Sequence, residues 1–286
     1  MRSIEVLADG FYMPECPRWH NGQLFMVDIF GHLVLRIGDD GSQDVVHRFG
    51  PNQDVGGIGW LPDGTLLVVE QLGRIVYSIA DSGTSVYADL SQFQPFPLND
   101  MIVAPDGTAY VSGFGWDVWG GGSFAESSLF RIGTDRSVTE AVPNMKAPNG
   151  MALDKRGETI YVAEPGGARL RRFRISRDGN LQDEQIITPR VEDETVIPDG
   201  ICLDDAAGIW MADPVNSRVV RTDSDGVADV VIPVALGHPL ACVLGGAGRR
   251  TLFITVSNIT SKSELTATPG GSVLRMQVEW VGTGQP

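Results

Sequence analysis

Four polar residues stand at matching places in a repeated pattern: Glu15 in "ECPRW", Asn99 in "LND", Asn149 in "PNG" and Asp199 in "PDG". Two carboxylates and two amide carbonyls brought to one point form a hard, all-oxygen set. Such a set suits Ca²⁺ first, then Mg²⁺ or Mn²⁺, and also accepts Zn²⁺ or Fe²⁺. Carboxylates held close raise one another's pKa, and a divalent cation relieves that repulsion. Four protein donors leave positions open for water or substrate, as in a catalytic rather than a closed structural site. Any one Asn-Gly or Asp-Gly taken alone reads as a turn. Only a shared placement gives the four residues a common role, and that placement depends on the elements that carry them.

Those elements are short strands. The chain has 286 residues with 35 glycines and 17 prolines, and its apolar residues alternate in short runs, as in half-buried strands, with little helical periodicity. Six segments repeat one pattern of strand, glycine turn and second strand: 15–29, 57–71, 99–113, 149–164, 199–213 and 240–255. Their turn glycines are Gly22, Gly64, Gly107, Gly157, Gly208 and Gly248, separated by 42, 43, 50, 51 and 40 residues. Repeats of this length, each a small antiparallel sheet, predict an all-β fold: a six-bladed β-propeller over 1–286 as a single domain. The N-terminal "SIEVLADG" is expected to pair with the last blade and close the ring.

The repeat gives "PDG" two roles. At 62–64 and 105–107 it falls between the strands of a blade and reads as a hairpin turn. At 198–200 it falls where the innermost strand begins. The equivalents of Asp199 there are Glu15, Gly57, Asn99, Asn149 and Leu240, so four of six blades aim a potential ligand at one ring around the axis. A metal site at one end of the central tunnel is the expectation.

Composition excludes several function classes. Thirty-six acidic against 22 basic residues give a net charge of −14, which argues against nucleic acid or an anionic membrane as partner. No stretch reaches the roughly 18 apolar residues of a membrane span, and the N-terminus does not read as a signal peptide. Cys16, Cys202 and Cys242 lack metal-site spacing and read as reduced packing residues, with Cys16 turned away from the tunnel. A cytoplasmic protein acting on a small molecule is expected; the exposed strands point to no particular oligomer.

The motifs "ECPRW", "LND", "PNGMALD" and "PDGICLD", in that order, resemble the SMP-30/gluconolactonase/LRE-like family across residues 10 to 278. The resemblance implies a six-bladed propeller holding one divalent metal at the top of its tunnel, with lactone hydrolysis common among members. By motif, Glu15, Asn149 and Asp199 are then the metal ligands, and Asn99 is a fourth ligand or a substrate contact. Sugar-lactone members similar to this chain carry an Arg where Pro97 stands. They also commonly carry a Glu in the loop where this chain has "GFGWDVWGGGSF". Both changes replace charge with apolar or aromatic surface, which points to a less polar lactone.

The cation would polarise the lactone carbonyl and stabilise the oxyanion that follows attack. Asp199 would serve as general base, or would orient a metal-activated water. Trp116, Asp117 and Trp119 lie in a Gly-rich insertion suited to a lid over substrate, and His238 stands near the sixth axis position as a substrate contact or proton shuttle. Asp28, Glu70, Glu164 and Asp213 end the second strands and read as turn stabilisers, while "RLRRFRIS" reads as a solvated face. Two other classes fit the same motifs: a metal-dependent enzyme of hydration, ether cleavage or isomerisation, and a binding propeller with a structural metal.

Overall fold

A computed structural model describes residues 3–258 and 262–284. The chain is a six-bladed β-propeller built from six four-stranded antiparallel sheets. Five blades run outward in chain order. The sixth consists of His238–Gly245, Thr251–Ser257 and Gly271–Gln277, completed from outside by the N-terminal strand Glu5–Phe11. That closing strand pairs from Glu5 with Arg275 to Phe11 with Gly271, so the ring shuts as the sequence predicts. The six innermost strands are Pro14–His20, Val55–Trp60, Leu98–Val103, Met151–Leu153, Ile201–Leu203 and His238–Gly245. Each packs against the innermost strands on either side, and the sixth returns to the first.

The cores follow from this arrangement. Among the described residues, six hydrophobic clusters fill the six gaps between blades. Every sheet is therefore covered on both faces. The strands Leu66–Glu70, Ala109–Gly113 and Ile209–Asp213 are buried at every residue, whereas the outermost strand Gln43–Arg48 is almost wholly exposed. The alternation expected of half-buried strands is thus replaced by a radial gradient, strand by strand. Truncating a fully buried side chain such as Leu67 or Leu129 to Ala removes about 3 kcal/mol of stability.

The acidic ends of the second strands do stabilise turns. Asp28 accepts the amides of Tyr12 and Met13, fixing the segment that leads into Glu15. Glu70 accepts those of Leu72 and Gly73. Glu164 binds the Lys146 amide and Arg169, and Asp213 binds Asn216 and Arg218. The basic run 169–176 keeps its expected solvated face at Arg172 and Arg174 but departs from it at Arg171. Arg171 is buried, pairs with Glu184 at 2.9 Å and lies over the Phe173 ring, because the third strand of a blade is still covered by its neighbour.

Candidate metal and substrate site at the tunnel mouth

The Asp-Gly and Asn-Gly pairs at the innermost strands are not turns. Neither Gly150 nor Gly200 has a positive φ. A Cβ on Gly150 would lie 2.6 Å from the Asp199 carbonyl oxygen, and one on Gly200 would lie 2.2 Å from the Ala241 Cβ. The Gly200 amide instead donates to the Leu240 carbonyl of the next blade at 2.9 Å. Glycine follows the axis residue because adjacent innermost strands approach so closely there that a side chain has no room. The same approach holds Asn149 and Asp199 on neighbouring strands at one level.

The innermost strands carry bulges at this level. Pairing shifts between Glu15 and Arg18, between Val55 and Ile58, and between Leu98 and Met101. Such bulges re-aim side chains. Cys16 sits in the first of them with φ +48°, so the alternation that would turn it away from the axis is broken; its buried thiol neighbours Asp100 and Glu15. In blade 2 the register sets Gly56, one residue before Gly57, level with Glu15, whereas in blade 6 Thr255 binds the backbone of Ala241 as Ser112 binds that of Asp100, which keeps Leu240 level with Asn99. None of these three offers a side-chain donor. Gln71 covers Gly56, with its Oε1 buried and unpartnered.

Two further charged residues enter the chamber. Arg18, buried, donates from Nη2 to Asp100 Oδ1 at 2.7 Å and to the Met101 carbonyl at 2.9 Å. Asp100 Oδ1 also accepts its neighbour's amide, from Met101 at 2.7 Å. Strict alternation would point both side chains elsewhere. The available signal was the charge itself: an Arg and an Asp within buried strands require a partner.

The electrostatics are those of crowded carboxylates. Burial first, then Asp199, pushes the Glu15 carboxyl well above its ordinary range, and the Cys16 amide and Arg18 offset this only in part. Burial, then Asp100, pushes Asp199 up to about 7. Asp199 Oδ1 is buried and accepts no hydrogen bond, and Asn99 Nδ2 is also buried without a partner. Turning the Asn99 amide over would present its oxygen at that place. An orphaned buried oxygen on a carboxyl crowded by other carboxyls fits a hard cation, which supplies the missing partner and relieves the crowding. Among the described residues no three His, Cys, Asp or Glu side chains converge on one point. The candidate set instead joins two carboxylates to two amides.

The insertion after the second strand of blade 3 reaches toward blade 1. Trp119 packs edge-on against Phe30, with centroids 5.1 Å apart, in a cluster that includes Tyr12 and Met13. Trp116 packs between Phe114 and Phe124. Asp117 is exposed, and its Oδ1 accepts the Gly120 amide at 2.7 Å, a turn within its own loop. His238 lies at the start of the sixth innermost strand with Nδ1 2.9 Å from the Pro214 carbonyl. A carbonyl only accepts, so Nδ1 carries a proton and donates it there.

Comparison with known proteins decides the family. The model of the family described as SMP-30/Gluconolactonase/LRE-like region matches residues 13–258. The chain belongs to this family. It is 26% identical to the pentonolactonase XacC of Haloferax volcanii, over 100% of this chain and 97% of that one. It is 25% identical to a 6-deoxy-6-sulfogluconolactonase of Pseudomonas putida, over 98% and 96%. A calcium-binding regucalcin from Agrobacterium tumefaciens superimposes with a TM-score of 0.80 at 20% identity, covering 100% of this chain and 97% of that one. Within this SMP-30/gluconolactonase-like chain, Pro97 is buried beside Asn99, and its carbonyl accepts the Phe114 amide at 2.9 Å.

Proposed function

We propose that the protein is a divalent-metal-dependent hydrolase of lactones less polar than a sugar lactone. The observation that carries this reading is the pairing of two carboxylates, Glu15 and Asp199, both raised toward neutrality, with an orphaned carboxylate oxygen at the tunnel mouth. The lactonase names of the Haloferax and Pseudomonas relatives support the reaction class. The regucalcin likeness is consistent with Ca²⁺ as the cation.

Glu15, Asn149 and Asp199 would hold the ion, with Asn99 as fourth ligand or substrate contact. When bound, the ion supplies Lewis-acid polarisation of the lactone carbonyl. Asp199 is the general base of this reading. Its unpartnered oxygen is placed to accept a proton from the attacking water, or to orient that water. His238, held by Pro214 through Nδ1, is the substrate contact or proton shuttle of this reading. Trp119, Phe30, Tyr12 and Met13 form an apolar wall that excludes water and accepts an alkyl substituent.

The test is hydrolysis of a lactone panel, from aldonolactones to alkyl-substituted rings, after metal stripping and return of Ca²⁺, Mg²⁺, Mn²⁺ or Zn²⁺. Activity restored by metal and abolished in Asp199→Ala and Asn149→Ala, with alkyl lactones preferred, is the expected result. Metal binding without turnover of any lactone would overturn the hydrolase reading.

A further inference from the structure

Arg18 crosses the tunnel. It starts on the innermost strand of blade 1 and ends on Asp100 and the Met101 carbonyl of blade 3, passing the strand of blade 2. The sequence of that intervening strand, "VGGIGW", makes the crossing possible. A Cβ on Gly57 would lie 2.7 Å from Asp100 Oδ1 and 1.9 Å from the Met101 nitrogen, so any side chain there would displace the pair. Arg18 also donates from Nη1 to the Pro17 carbonyl at 3.1 Å, which locks the guanidinium at its root. Side-chain exposure of 6% for Arg18 and 5% for Asp100 means that neither charge is screened by bulk water.

Three carboxylates share this enclosed volume. Glu15 feels Asp199 and Asp100, and Asp199 feels Asp100. With Arg18 counted, the ionised chamber carries a net charge of −2 rather than −3. Buried charge must be matched closely, because there is no solvent to absorb a surplus.

Building on the metal site proposed above, we infer that Arg18 is a positioning residue that sets the valence of the bound ion. Its fixed guanidinium cancels Asp100 and leaves Glu15 and Asp199 to balance a divalent cation. The pair acts through the field at the ligands and touches neither the ion nor the substrate.

The experiment is a charge series read by metal affinity alone. Wild type and Arg18→Met, Asp100→Asn and Arg18→Met/Asp100→Asn variants are titrated with Ca²⁺ and with Tb³⁺, and folding is monitored by thermal melting. Their nominal chamber charges are −2, −3, −1 and −2. One unit charge at about 7 Å and an effective dielectric of about 20 changes the Tb³⁺-to-Ca²⁺ affinity ratio by about fiftyfold. The ratio is expected to rise about fiftyfold in Arg18→Met, fall about fiftyfold in Asp100→Asn, and return to the wild-type value in the double variant. A merely structural pair would lower both affinities together and leave the ratio unchanged. An unchanged ratio, or a double variant that follows either single one, overturns the inference. The double variant keeps the test decisive if a single one fails to fold. A wild-type chain that binds neither ion refutes the metal site itself, a separate result that removes the inference with it.

Discussion

Lowering the pH from 8 to 6 is expected to weaken Ca²⁺ binding by at least about tenfold. Asp199 is pushed up to about 7 by burial and by Asp100. Above that value the carboxylate is ionised and ready to ligate; below it, the cation must first displace a proton. Between these two pH values the ionised fraction falls from about nine-tenths to about one-tenth, a penalty of about 1.4 kcal/mol. Glu15 is shifted in the same direction and steepens the dependence. The sign for folding runs the opposite way. The native metal-free chain keeps a proton that the unfolded chain releases, so its stability falls as pH rises from about 4 to about 7. Metal binding therefore stabilises the fold most at the alkaline end of that range. Isothermal titration with Ca²⁺, repeated near pH 6 in two buffers of different ionisation enthalpy, measures both affinity and proton release. An affinity constant that changes less than twofold between pH 8 and 6, with no proton released, would refute the reasoning: the cation would then not be displacing protons from this carboxylate pair.

Two further substitutions test the architecture and the wall. Gly200→Ala sets a methyl group against Ala241 and separates the innermost strands of blades 5 and 6. We expect a loss of about 2–3 kcal/mol, seen calorimetrically as a melting point lower by roughly 5 °C, together with weaker Ca²⁺ binding because Asp199 moves with its strand. Trp119→Ala removes the ring that meets Phe30. It is expected to raise KM for alkyl-substituted lactones about tenfold while changing KM for small polar lactones less than threefold, as steady-state kinetics on paired substrates would show.

The architecture was legible because a propeller is a periodic object. Each blade must turn between its first two strands and return, so Gly22, Gly64 and Gly107, each at a positive φ, mark the period without any knowledge of packing. The closing strand and the turn-stabilising acids were legible for the same reason, since each depends on its place in the repeat. Alternation served less well. It fails at the bulges, where Cys16 is turned by a φ of +48° and Arg18 and Asp100 meet across the tunnel. It also fails in strands such as Ala109–Gly113, which neighbours cover on both faces.

The sequence by itself determined the six units, their order, and the oxygen-bearing residues at the mouth of four innermost strands. All of these repeat at a spacing that can be counted along the chain. Only the tertiary structure decided what those residues face. Gly150 and Gly200 are demanded by the next blade, Trp119 finds Phe30 across blade 2, and Asp199 owes its raised pKa to burial and to Asp100. Distances between blades and the dielectric around a charge arise only when residues far apart in sequence are brought together, and no local spacing encodes them.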